Sequence, residues 1–321
     1  MSEIALPTAA PSPKEATMPH AADTAAREAR LGVTYALAAY LVWGFFPIYF
    51  KALAGVAPLE VLAHRIVWSV MTLALMLTAA RRWEGVRAVF AQPKTLLTLC
   101  ATTLLIAVNW LVFIYAVGAG KVLQSSLGYF INPLVSALLG VVFLRERLRA
   151  KQKLSFLLAA AGVAFLTVQH GELPWISLAL ALSFGLYGLL RKQAPVDSLS
   201  GLTVETLLLF PVALAYLLWL AHQGTSAFVA GPTRLTVLLA CAGVLTSTPL
   251  IWFAAATKRL RLATVGLMQY LVPTLHFLLA VFAYGEPFTR AHLVSFACIW
   301  AGLVLYTIDA AKLLFSASRP E

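Results

Sequence analysis

The stretch SFLLAAAG, residues 155–162, returns 140 residues later as SFACIWAG, residues 295–302. The Ser155–Phe156 pair falls on Ser295–Phe296, and Ala161–Gly162 falls on Ala301–Gly302. The same register carries Pro133 onto Pro273, Glu146 onto Glu286 and Phe113 onto Phe253. Matches between aliphatic residues arise by chance in an apolar chain. Matched proline, glutamate, Ser-Phe and glycine are much harder to obtain that way. Self-similarity at one fixed shift is the mark of a chain built twice.

What is written twice is a bundle of membrane spans. Of the 321 residues, 61% are hydrophobic and 12% are charged, against roughly half and a quarter in soluble domains. A crossing helix needs about 20 apolar residues. Such runs fall near 31–50, 59–80, 95–117, 122–144, 154–170, 173–190, 199–221, 235–256, 262–284 and 292–310. Each copy therefore holds an odd number of spans, so the second crosses in the opposite sense. The fold class expected is all-α: ten transmembrane helices in two inverted five-helix repeats, residues 31–170 and 171–310. Residues 1–30, rich in Ala, Pro and Thr, and 311–321 read as tails, the first of them disordered. Inverted repeats recur in carriers, with the binding site near the midplane between halves. Duplication that merely enlarges a stable bundle is the alternative.

Most of the Lys and Arg cluster between alternate spans: Arg81, Arg82, Arg87 and Lys94; Arg145 to Lys153; Arg191 and Lys192; Lys258, Arg259 and Arg261. Only Lys51, Lys121, Arg234 and Arg290 fall on the other side. The asymmetry puts both termini in the cytoplasm. The net charge of +11 is thus a topology signal, not a nucleic-acid footprint. No GxxxxGK[ST] loop and no loop of domain length is present, so neither a nucleotide nor any other cofactor is expected. Cys100, Cys241 and Cys298 lie singly in apolar runs and read as packing residues; no metal site is expected.

The strings ALAAYLVWGFFPIYFK (36–51), EVLAHRIVWS (60–69), NWLVFIYAV (109–117), SLGYFINPLVSALLGVVFLRERL (126–148), SFGLYGLLRK (183–192) and GLMQYLVPTLHFLLAVFAYGE (266–286) carry a resemblance. The chain resembles the RarD group of EamA-domain proteins in the drug/metabolite transporter superfamily. That resemblance implies membrane transport of a small solute, in a bacterial inner membrane and more in the sense of export, within a ten-helix bundle. It also brings the group's chloramphenicol-sensitivity label. At position 276 it implies an apolar residue, where this chain has His276.

Ionisable residues inside spans cost roughly 2.5–3.5 kcal/mol each on insertion scales and mark a cavity, a pair or a snorkelling chain. In the second span Glu60 and His64 are four apart and Trp68 a turn further, so the three share a face. Arg65 lies about 140° round from Glu60, which separates them. It needs a partner on another helix, a solute anion, or the interface about 9 Å above it. Glu205 sits early in the seventh span much as Glu60 does in the second. The two are candidate gate or proton-binding positions, with unrelated interfacial carboxylates as the alternative. Ser125, Tyr129, Asn132 and Ser136 form one polar face of the fourth span. By the repeat, Gln269 stands opposite Tyr129 and His276 opposite Ser136, beside Tyr270 and Pro273. Asn109 and Trp110 add an amide and an indole in the third span. Together these outline a substrate pathway for a small organic molecule, or hydrogen bonds that glue helices. Pro47, Pro133, Pro211, Pro249 and Pro273 interrupt spans, as hinges or as packing kinks. The expected partners are a small-molecule solute and the lipid bilayer. A membrane enzyme is disfavoured: the histidines are scattered, with no HExxH or GxSxG. A passive channel or a sensor shares the same polar lining and stays open.

Overall fold

Prolines open several of the helices. Pro58 and Pro93 stand at first-turn positions, where the missing N–H has no partner to lose and the fixed φ favours entry. The computed structural model describes residues 18–144, 150–260 and 268–316. The expected tail at 1–17 and the basic cluster with Glu146 (residues 145–149) lie outside the described residues.

In chain order the helices are α1 (Met18–Gly44), α2 (Phe46–Ala52), α3 (Pro58–Ala80), α4 (Trp83–Phe90), α5 (Pro93–Gly118), α6 (Val122–Leu144) and α7 (Ala150–His170). There follow α8 (Trp175–Gln193), α9 (Ser198–His222), α10 (Ala227–Ala230), α11 (Thr233–Thr257), α12 (Leu271–Leu278, continued by a π-helical turn over Leu279–Ala283) and α13 (Arg290–Ser316). Among the described residues there is no strand. Helix α1 starts at Met18, inside the stretch read from composition as a disordered tail. The Ala-rich run 21–30 has high helix propensity, and continuity with an apolar span propagates it.

Among the described residues, seven segments are long and apolar enough to cross a membrane: Arg27–Ala52, Pro58–Ala80, Pro93–Gly118, Val122–Phe143, Ala150–Gln169, Ser198–His222 and Thr233–Thr257. Trp175–Arg191, Leu271–Ala283 and Arg290–Tyr306 are shorter apolar helices. The surface is that of a protein in lipid. Leu75, Leu97, Val168 and Phe282 are 73–78% exposed, which a water-facing surface would not sustain as a continuous apolar face. The chain is an all-helical, multi-pass membrane protein.

Residues 155–162 and their repeat at 295–302 form a seam. Helices α7 and α13 pack on each other, and a Cβ on Gly162 would lie 2.9 Å from the Ser295 carbonyl oxygen. A Cβ on Gly302 would lie 2.8 Å from the Ser155 carbonyl oxygen. Early α7 thus meets late α13, and late α7 meets early α13, so the two matched helices run antiparallel. Only glycine permits backbones this close.

Helix α1 breaks before α2. Pro47 has no N–H for the Trp43 carbonyl four residues back, and Phe45 interrupts the helix. The Trp43 oxygen is instead 3.1 Å from His276 Nε2 on α12. A carbonyl can only accept, so Nε2 carries the proton and donates. The histidine replaces the donor that the proline removed.

Candidate functional site

Helix α3 sorts its polar residues by face. Glu60, His64 and Trp68 turn together against the segment after α9. Glu60 Oε1 accepts from Ala227 N at 2.7 Å and Ser226 Oγ at 3.2 Å, which places a carboxylate on the N-terminus of α10. The His64 ring stacks on Phe228 with centroids 4.8 Å apart, and Trp68 lies tilted on the same ring at 6.1 Å. The periodicity that grouped these residues grouped a loop anchor. By the 140-residue register Glu60 falls on Ser200, and Ser200 packs where a Cβ on Gly85 of α4 would stand. Each second helix of a repeat therefore holds the short helix that follows its counterpart in the other repeat.

Arg65 leaves by another face. It is 5% exposed, and its Nε donates to Thr246 Oγ1 of α11 at 2.8 Å. The guanidinium carbon lies 4.1 Å from the centroid of the Trp110 ring on α5, with Phe46 and Phe50 of α2 at 5.6 and 5.7 Å. Its charge is within electrostatic reach of the Tyr49 and Tyr129 hydroxyls. No carboxylate pairs with it among the described residues. The aromatic wall continues from Phe50 to Phe113 (5.7 Å), and from Phe113 to His276 (5.3 Å, stacked) and Tyr129 (5.9 Å). Residues from α2, α5, α6 and α11 thus surround one buried cation on α3, and the aromatic wall extends to His276 of α12.

The other expected residues go to different places. Asn109 is buried but turns to α8, donating from Nδ2 to Leu180 O and Ser183 Oγ, both at 3.0 Å. Asn132 is buried on α6, with Oδ1 lacking a partner among the described residues. Ser125 bonds within its own turn, to Val122 O. Ser136 is exposed. Gln269 is half-buried in the turn before α12. Tyr270 lines a separate apolar cleft of about 390 Å³ with Phe130, Thr274 and Trp300.

Glu205 is 1% exposed on α9. Thr102 Oγ1 of α5 donates to it at 2.7 Å and Tyr187 of α8 at 3.2 Å, and Arg191 Nε lies 3.6 Å away. In exact register Glu205 matches Arg65, so the two halves carry opposite charges at matching positions. Outside the spans, Asp197 caps α9 through Leu199 N and Ser200 N at 3.1 and 3.2 Å, beside Arg82 at 3.6 Å. Partial burial pushes its carboxyl up, but the Ser200 and Leu199 hydrogen bonds and the Arg82 charge outweigh that, and it ends below its ordinary value. Glu286 receives Val122 N and Leu123 N at 2.7 and 2.8 Å at the start of α6. Burial raises its carboxyl despite those bonds and the nearby Lys51.

Sequence reasoning missed Thr246, Phe50, Tyr187 and Arg191. The signals were present. Three hydroxyls in a row, Thr246 to Thr248, precede Pro249 inside an apolar span, and Tyr187 and Arg191 are i,i+4 neighbours.

Comparison with known proteins agrees with this architecture. The EamA-like transporter family matches residues 30–168 and again 173–308. An uncharacterized transporter of Vibrio cholerae is 47% identical over 293 residues, covering 91% of this chain and 97% of that one. The protein RarD of Escherichia coli (strain K12) is 44% identical over 285 residues, 89% of this chain and 96% of its own. A chloramphenicol-sensitive protein RarD of Pseudomonas aeruginosa is 37% identical over 292 residues, 90% and 97% of the two chains. One solved crystal structure superposes with a TM-score of 0.54 at 18% identity over 90% of this chain and 99% of that one, a likeness of fold. The chain is a membrane transporter, not an enzyme, and belongs to the EamA-like transporter family, in its RarD group.

Proposed function

We propose that this chain is a secondary carrier that exports a small organic solute across the bacterial inner membrane by alternating access. In this reading ten spans form two inverted five-helix repeats, 31–170 and 171–310, with tails 1–30 and 311–321 and both termini cytoplasmic. The antiparallel α7–α13 seam and the twofold family match support the inversion. The observation that carries the function is Arg65: a buried guanidinium with no acidic partner among the described residues, held by Thr246 of the second repeat and walled by aromatic rings of the first. Arg65, Trp110 and Tyr129 form the centre of the pathway. Asn132 and Gln269 stand at its margins, while His64 and Trp68 brace the α10 turn, Asn109 ties α5 to α8, and Tyr270 lines the separate cleft. Glu60 and Glu205 are gate positions on opposite sides. Glu60 holds the α10 turn, and Glu205 ties α9 to α5 and α8.

Counterflow in proteoliposomes tests this. With labelled benzoate, phenylalanine and chloramphenicol, a carrier gives uptake of at least one that is stimulated by the same unlabelled solute inside. Flux without trans-stimulation would make the protein a pore. No flux of any probe would count against transport of this solute class.

A further inference from the structure

The Arg65 guanidinium is fixed along one edge and free along the other. Thr246 holds Nε, and Trp110 covers the face at 4.1 Å. The two Nη nitrogens make no hydrogen bond among the described residues. Burying a charged group without a counter-charge is expensive, and cation–π contact offsets only about 0.5–2 kcal/mol of that. By contrast, Glu205, the buried charge at the matching position of the second repeat, already has Arg191, Thr102 and Tyr187. The unfinished partner set is at Arg65 alone of this pair.

A guanidinium presented by its Nη edge is a planar fork whose two parallel N–H donors match the two oxygens of a carboxylate. Resting on the carrier reading, we propose that Arg65 binds a carboxylate of the transported solute through its free Nη edge. Thr246 is the positioning residue that sets the fork's rotation, and Trp110 sets its plane. The rings of Phe50, Phe113 and Tyr129 receive the apolar body of the solute. The ligand class is a monocarboxylate with an aromatic or aliphatic body. The site exists once per chain, because the position equivalent to Arg65 in the second repeat is the acid Glu205, which would repel such a ligand.

Isothermal titration of the purified full-length protein tests this, with benzoate and phenylacetate against their neutral amides, and with acetate and inorganic phosphate as bare anions. The expected result is saturable binding of the aromatic carboxylates and no binding of the amides. Arg65→Gln abolishes it. Arg65→Lys, which keeps the charge and loses the fork, weakens it by about tenfold or more. Thr246→Val weakens it and narrows the preference for planar carboxylate over tetrahedral phosphate, a specificity change that loss of packing alone does not produce. Equal binding of the amides, binding of phosphate alone, wild-type affinity in Arg65→Lys, or no binding of any carboxylate overturns the proposal. If carboxylates bind as expected but counterflow shows no trans-stimulation, the carrier reading falls and the site stands. If an uncharged solute shows trans-stimulation unaffected by Arg65→Lys, the reverse holds.

Discussion

Pro47 and His276 are 229 positions apart in the sequence and act on one oxygen, the Trp43 carbonyl. Replacing His276 by Phe keeps the ring stacked against Phe113 but leaves that carbonyl without its donor, at a cost of about 1–3 kcal/mol. Adding Pro47→Ala restores an in-helix N–H and recovers part of the loss. Thermal unfolding of the two variants in detergent measures both steps; equal destabilisation would mean that the carbonyl finds no donor in the repaired helix. The gate assignment makes a second demand. Glu60→Gln and Glu205→Gln should each change the rate or pH dependence of counterflow, and unchanged behaviour in both removes them from the mechanism. At this scale periodicity in the sequence separated Arg65 from Glu60, His64 and Trp68, because 3.6 residues per turn is a property of the backbone alone. It was silent on what each face meets. Thr246 is 181 residues from Arg65, and nothing in a single apolar helix encodes a partner at that distance.

Helix ends and helix crossings supply the sharper stability tests. Asp197→Ala removes the cap of α9, at a cost of about 1 kcal/mol near neutral pH. The folded pKa of Asp197 is depressed, so its stabilisation is present above the unfolded value and is lost as pH falls through the folded one. The wild-type advantage in melting temperature should therefore shrink on acidification below the ordinary carboxylate range. A constant gap down to low pH would show that the cap works without its charge. Crossings behave differently. Gly243 of α11 lies against the Trp68 backbone of α3, where a Cβ would overlap the Trp68 carbonyl. Gly243→Val should cost at least 1–3 kcal/mol, about the range for forced overpacking, read as a lower melting temperature or loss of monodisperse protein on size exclusion. The equivalent residue in the first repeat is Thr103. Helix α5 therefore cannot approach α9 as α11 approaches α3, and the Thr102–Glu205 hydrogen bond bridges that looser crossing.

Across the whole molecule, composition was the most legible layer. Lipid solvation acts on every residue, so an apolar run announces itself locally, and Lys and Arg bias is read loop by loop. Reporter fusions at Met1 and Glu321 should both be active in the cytoplasm; a periplasmic signal from either end overturns the assigned topology. Interruptions were harder to read. Pro47 pointed to the break between α1 and α2, but nothing in the apolar run 279–283 announced the π-helical turn there. Pattern likewise mistook residues 18–30 for unstructured chain because an Ala-rich helix without an apolar stripe has no period to see.

The α7–α13 seam is its own complement: each side offers a glycine and receives a serine carbonyl. Such a joint has no donor side and no acceptor side, so a defect on one strand of the duplication has a twin on the other. Gly162→Ala and Gly302→Ala should then be near-equal in cost, and a protein sampling mutations at random meets every flaw in this contact twice. The same reciprocity leaves one half-length chain already carrying a surface that fits an inverted copy of itself.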